Sequence, residues 1–354
     1  MRPLTFNPGP SQLSLSTEED IVRGIDQGIY SISHRSAQFQ EISTRAINGL
    51  RAFMRIPAEY EIFYLPTATD AMESLIKNVV QHSSHHFVNG NFSKVFFEAA
   101  KKLGLLPTVD MVAVGQQNNY KAATIPASAE MIAVTYNETS TGVMCQDDDL
   151  RALRAANPEK LLAVDITSIA AMKSFEIANA DAWFFSVQKG FGLPAGMGIL
   201  IVSPRAMERA RTLQLPNGTF SFDAMAKSMA KNCQTIATPN VFLIYLLMCQ
   251  VERWNAHGGQ AAREAETRGK YQKLASVIES STRWSFFVQN ELHRSISVPC
   301  IAGRPEDILS LKKQCKDQGI ILGSGYGELK ETTFRIGNFP AITVEDTWRL
   351  LELL

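Results

Sequence analysis

The sequence predicts an α/β fold: a mostly parallel sheet with helices on both faces, followed by a smaller C-terminal α+β domain. Between about residues 60 and 205, seven short apolar runs alternate with helical patterns: EIFYLP, HHFVNG, DMVAVG, EMIAVTY, KLLAVD, DAWFFSV and GILIVS. Runs this continuously apolar belong to strands buried on both faces, and their alternation with helices is the rhythm of a parallel sheet. The texture then changes. A long helical region runs from TPNVFLIYLLMCQVERW through EAETRGKYQKLASVIESS, and beyond it come RSISVPCIAG, the helical EDILSLKKQCKDQG and TTFRIGNF. We therefore expect a large domain over 15–250 and a small one over 251–354, with the segment 1–14 packing on the small domain. No Ser/Gly linker separates the two, so they should pack closely.

Composition narrows the class of function. The 354 residues are 45% hydrophobic, enough for a large core, and Lys+Arg and Asp+Glu both number 35, for a formal net charge of +0. Nothing in that balance attracts nucleic acid or an anionic membrane, so the expected partner is a small molecule. Five scattered cysteines, Cys145, Cys233, Cys249, Cys300 and Cys315, have no metal-binding spacing and no even count for a disulfide framework. With no apolar leader after the N-terminal MRPLTFNPGPSQLS, this fits a cytoplasmic protein. The segment HSSHH, with His82, His85 and His86, has no interleaved acid or cysteine and is expected to be a solvated loop; no metal site is expected.

The chemistry should lie at the carboxyl ends of the strands, where open α/β sheets bind ligands. KLLAVD ends on Asp165, and the run DAWFFSV delivers Ser186, Gln188 and Lys189. An ion pair at a sheet edge would use the same acid and lysine. One cofactor requires such a pair, however. Pyridoxal 5'-phosphate forms a Schiff base with a lysine, and a carboxylate keeps its pyridine nitrogen protonated so that the ring accepts electrons. It also needs a phosphate cup. EIFYLPTATDAMESLIKNVV supplies a strand, then Thr67-Ala68-Thr69, then a helix whose N-terminus offers free N–H groups. A simple helix cap would look the same. Two glycine motifs, GFGLPAG and GSGYG, fail the context of a dinucleotide fingerprint, since the first precedes a strand and the second lies in the C-terminal region.

NPGPS, SHRS, NGNFSKVFFEAAKKLG, YNETSTGV, AVDITS, SVQKGFGLPAGMGILIVS, ATPNVFLIY and FRIGN together resemble the class V aminotransferases over nearly the whole chain. The resemblance implies the fold type I of pyridoxal-phosphate-dependent transferases, with a mostly parallel seven-stranded sheet. It implies a homodimer acting on amino acids and 2-oxo acids. Residue by residue, it makes Lys189 the Schiff-base lysine and proton shuttle, Asp165 the partner of the pyridine nitrogen, and Thr139 the hydroxyl at the ring oxygen. Thr167, Gln188, Ala68 and Thr69 become phosphate or ring-side contacts, and Phe92 the stacking ring. Thr238 reaches the cofactor of the neighbouring subunit. Arg335 becomes the holder of the substrate α-carboxylate, and His34 and Arg35 the pair that receives the distal anion.

The resemblance implies transamination in serine biosynthesis, from phosphoserine to 2-oxoglutarate. Where that branch carries a His-Arg pair shortly before the carboxylate arginine, however, this chain has Glu328 and Leu329, and Ala237 replaces an expected asparagine. The segment SGYGELKETTFRIGN resembles instead the branch that uses alanine or serine with glyoxylate or pyruvate. A binder of the cofactor without turnover is the non-enzymatic alternative. Cys315, the thiol nearest Arg335 in sequence, sits in a helical pattern that reads as core, which argues against desulfurase chemistry.

Overall fold

The computed structural model describes residues 3–215 and 218–354. A seven-stranded sheet runs in the order Glu61–Leu65, Gly198–Val202, Ala182–Ser186, Leu161–Asp165, Met131–Thr135, Ser84–Val88, Thr108–Met111. Each apolar run singled out in the sequence supplies one strand. Five of them bury every residue, which is why they read as continuous apolar stretches rather than alternating ones. The sheet is parallel except at Gly198–Val202, which is antiparallel to both neighbours. A parallel return needs a crossover, usually a helix. The stretch 187–197 holds none, so the chain turns straight back. At the far edge the last strand begins at Thr108, ahead of the expected run, and alternates between half-buried and exposed residues, as an edge strand does.

Helices cover the sheet. Ala68–Val79 packs on Ala182–Ser186 and Gly198–Val202, and Asn91–Lys102 packs on Ser84–Val88. The Thr67 side chain caps the first of these by accepting from the Asp70 N–H. Val241–Ala256 is apolar nearly all round because it is buried nearly all round, with Ala37–Met54 lying along it.

A second sheet contains Leu4–Phe6, Ile320–Ser324, Thr333–Arg335, Cys300–Ala302 and Ser285–Phe286. It has its own apolar cluster, to which Ile278, Ile308, Leu311 and Phe334 contribute. Leu4–Phe6 joins it by pairing in parallel with Ile320–Ser324. No helix among the described residues is long and apolar enough to cross a membrane.

The histidine segment departs from expectation. His85 and His86 lie buried within Ser84–Val88 rather than in a solvated loop. Each imidazole spends one nitrogen on a neighbouring hydroxyl, His85 Nδ1 on Thr108 Oγ1 and His86 Nε2 on Ser84 Oγ, both at 2.8 Å. Burial pushes the His86 proton affinity down to about 3, so the ring is neutral at pH 7 and behaves as core.

Gly198 lets the antiparallel strand pass under the turn that begins the Ala68–Val79 helix. A Cβ there would lie 2.3 Å from Thr67 O and 2.4 Å from Thr67 C, with backbone atoms in the way. Gly198→Ala should therefore destabilise the protein by about 1–3 kcal/mol, read as a lowered Tm; an unchanged Tm would refute the close approach.

Candidate active site

The carboxyl ends of four strands converge on one cavity of about 150 Å³. Leu161–Asp165 ends on Asp165, Ala182–Ser186 leads into Gln188 and Lys189, Glu61–Leu65 leads into the Ala68–Val79 helix, and Met131–Thr135 leads into Asn137 and Thr139. The Asn91–Lys102 helix adds Phe92. Eight sequence-predicted residues line this space: Ala68, Thr69, Phe92, Thr139, Asp165, Thr167, Gln188 and Lys189.

Lys189 is 9% exposed and held from several sides. Its Nζ donates to Thr139 Oγ1 at 3.1 Å and lies 5.0 Å from the centroid of the Phe92 ring. Behind it the N-terminal segment closes in: Ser11 Oγ donates to the Lys189 carbonyl at 2.8 Å, and the Ser11 N–H donates to the Gln188 carbonyl at 2.7 Å. Gly9 packs against the lysine stem. A Cβ on it would fall 2.9 Å from Lys189 Cε, and its φ of +145° also favours glycine. Burial lowers the lysine pKa to about 8, against the pull of Asp165 and Glu138, with Arg335 adding to the lowering. An amine so tuned is partly neutral near physiological pH, as a nucleophile or proton carrier must be.

Asp165 is buried as well, and burial pushes its carboxyl up from the ordinary range while Thr167 and the Lys189 charge oppose. The Thr167 N–H donates to Asp165 Oδ1 at 2.8 Å. Three residues lining the cavity carry a polar atom that is buried without a partner among the described residues: Asn137 Oδ1, Thr167 Oγ1 and Gln188 Oε1. The helix N-terminus opposite is partly engaged: the Ala68 N–H donates to Ser186 Oγ at 2.9 Å and the Asp70 N–H to Thr67 Oγ1 at 3.0 Å. The Thr69 N–H between them lies too near the helix start for a partner within the helix.

Arg335 reaches this group from the second sheet. Its Nε donates to the Ser324 carbonyl at 2.8 Å and its Nη1 to the Thr139 carbonyl at 2.9 Å, so the guanidinium ties the second sheet to the loop that follows Met131–Thr135, with its centre 5.4 Å from the Tyr326 ring. The remaining N–H groups of this fixed fork have no partner among the described residues and can meet a carboxylate.

Three expected residues lie elsewhere in the chain. Arg35 is exposed and tied to the segment 234–236, donating to Gln234 Oε1, the Thr235 carbonyl and the Ile236 carbonyl at 2.9–3.0 Å. Thr238 lines a separate, mostly apolar cavity of about 420 Å³ beside Pro66 and Ile236. His34 stacks edge-on to Phe39, its Nε2 buried without a partner among the described residues, and burial together with Arg35 lowers its proton affinity. Within one chain none of the three borders the Lys189 cavity. Glu328 and Leu329 form a short turn, Gly327–Leu329, between Tyr326 and Arg335 in sequence. Sequence reasoning did not assign Glu138 or Tyr326 a role. Glu138 stands inside the quoted NET motif, where its position next to Thr139 was the only signal.

The fold and this constellation define a class of enzyme, and comparison with known proteins names it. The family model described as "Aminotransferase class-V" matches residues 9–329. The chain belongs to that family. A phosphoserine aminotransferase of Cytophaga hutchinsonii, of known crystal structure, is 34% identical, with a TM-score of 0.95 over 99% of this chain and 98% of its own. The phosphoserine aminotransferase of Rhodococcus opacus (strain B4) is 28% identical over 98% of this chain and 93% of its own length. An aspartate aminotransferase of Thermus thermophilus is 25% identical with a TM-score of 0.82, covering 98% of this chain and 99% of its own.

The buried lysine yields a prediction for the cofactor-free protein. Its folded pKa of about 8 lies below the unfolded value near 10.4, so the unfolded chain binds the proton more tightly between those values. The resulting penalty on the fold is full below about pH 8 and disappears as pH rises towards the unfolded value. Lys189→Met should therefore stabilise the apo-protein by roughly 2–3 kcal/mol at pH 7, a gain that fades towards pH 10 in denaturant titrations. A gain independent of pH would contradict the burial of a charge.

Proposed function

We propose that this aminotransferase uses pyridoxal phosphate and transfers the amino group between phosphoserine and 2-oxoglutarate. The observation behind the cofactor is the convergence of a buried lysine of lowered pKa, a buried aspartate, and three unpartnered polar atoms in one cavity at the strand ends. This donor set fits the cofactor. The Thr69 N–H and the Thr167 hydroxyl suit its phosphate, Asp165 its ring nitrogen, Thr139 its ring oxygen, Phe92 its face and Lys189 its aldehyde. Bound there, it would supply an aldehyde carbon and an electron-accepting ring.

The chain's own groups then divide the work. Arg335 binds the substrate α-carboxylate through its free fork and, being pinned at Ser324 and Thr139, orients the Cα–H bond toward the lysine. Lys189 Nζ takes the proton from that Cα and returns it on the other side of the reaction, with Thr139 Oγ1 steering the amine. Asp165 would pair with the ring nitrogen of the bound cofactor and keep it protonated.

The phosphoserine assignment rests on the relatives that share the whole length of the chain. The Glu328-Leu329 turn favours a second reading, with alanine or serine as donor and glyoxylate as acceptor, since an acid near a dianion is unfavourable. On the first reading kcat/KM for phosphoserine should exceed that for serine by well over about tenfold. A smaller preference would sink it.

We further propose a homodimer in which His34, Arg35 and Thr238 serve the partner's site, since they gather at one place away from their own lysine. Mixing inactive Lys189→Ala with inactive Arg35→Ala should then restore activity. Random pairing leaves one intact site in half of the dimers, or about a quarter of wild-type activity. If Arg35 serves its own chain's site, mixing restores nothing.

A further inference from the structure

The acid that sits deepest beside the site has so far entered only through its pull on the Lys189 proton. Glu138 is 0% exposed, and its carboxylate is saturated with donors. Oε1 accepts from the Phe92 N–H at 3.2 Å, the Ser140 N–H at 3.1 Å and Ser140 Oγ at 2.6 Å; Oε2 accepts from the Ser93 N–H at 2.8 Å and Ser93 Oγ at 2.9 Å. The Asn91 N–H, next in the same turn, donates to Ser140 Oγ at 2.9 Å. The first three N–H groups of the Asn91–Lys102 helix thus all end on Glu138 or on the serine that Glu138 holds. A helix N-terminus is normally capped by the residue before it. Here that residue is Gly90, which has no side chain to offer and whose Cβ, if present, would lie 2.4 Å from Glu138 Cγ. The glycine makes room for a distant carboxylate to act as the cap, and the positive end of the helix favours that charge.

That cap decides where Phe92 stands. Phe92 is in the first turn of the helix, its own N–H is one of the five donors, and its ring faces Lys189 Nζ at 5.0 Å. We propose that Glu138 is a positioning residue that clamps the first turn of this helix, fixing the Phe92 ring as the wall against which the cofactor is held. The inference rests on the pyridoxal-phosphate reading. A clamp made of five bonds to one buried carboxylate is rigid, because losing any of them strands a buried donor. The neighbouring Thr139, by contrast, turns to the opposite side and meets Lys189, so adjacent residues of one short segment serve wall and lysine separately.

The test is a double-mutant cycle on cofactor-free protein titrated with pyridoxal phosphate, following the dissociation constant. Glu138→Gln keeps the shape but sets an amide donor against N–H groups. Phe92→Ala removes the ring and leaves the clamp. If the acid acts through the ring, Glu138→Gln should weaken binding about tenfold in the wild-type background and much less in the Phe92→Ala background, as coupled neighbours do. Should Glu138→Gln fail to fold, Ser140→Ala removes one strut while keeping the carboxylate, and the same pattern with a smaller loss is expected. Equal losses in both backgrounds, or no loss in a folded variant, overturn the inference. Absence of binding by the wild-type protein overturns the cofactor reading together with it.

Discussion

A lysine ammonium at the bottom of a protein cavity is costly, and much of this structure is arranged around that cost. Lys189 could be accommodated as a surface charge anywhere, yet it is enclosed by Thr139, Phe92 and the N-terminal segment, with a buried carboxylate at Asp165 and another at Glu138. The two acids offset part of the desolvation without forming a close ion pair that would pin the amine in its charged form. The result is an amine whose proton is loosely held. The strands that meet here are buried on both faces, so the backbone beneath the site is stiff and the tuning does not drift.

Arg335 links this tuned centre to the second sheet. Its bond to the Ser324 carbonyl holds it within the second sheet while its bond to the Thr139 carbonyl reaches out to the loop beside Lys189, and Tyr326 reaches the same way, its hydroxyl accepting from Asn91 Nδ2 at 3.2 Å. The fork is therefore set before any ligand arrives, and the ordering cost of recognising a carboxylate is already met by the fold. Phe92 completes the wall, 5.6 Å from the Tyr326 ring.

Much of this was legible in the chain. Strands such as LLAVD and AWFFS are buried on both faces, so their apolar continuity revealed the sheet, and Asp165 and Lys189 stood out as charges placed just past such runs. The Thr67 cap was legible because a hydroxyl just before a helix has few other uses. Less was visible where a residue's environment reverses its type. His85 and His86 look hydrophilic but are core, since neighbouring hydroxyls satisfy one nitrogen of each. Glu138 looks like any surface acid, and its burial depends on five donors that come mostly from a helix far away in sequence. The places of His34, Arg35 and Thr238 could not be read from spacing, because they cluster on one another rather than on the lysine.

The N-terminal segment has a bearing on how the molecule assembles. Leu4–Phe6 pairs with Ile320–Ser324, near the opposite end of the chain, and only a few residues later Gly9 and Ser11 close over Lys189. Pairings between segments so distant in sequence form slowly. Ser11 meanwhile ties the cover directly to the Gln188 and Lys189 carbonyls, so one short stretch of chain both completes the second sheet and closes over the amine of the first.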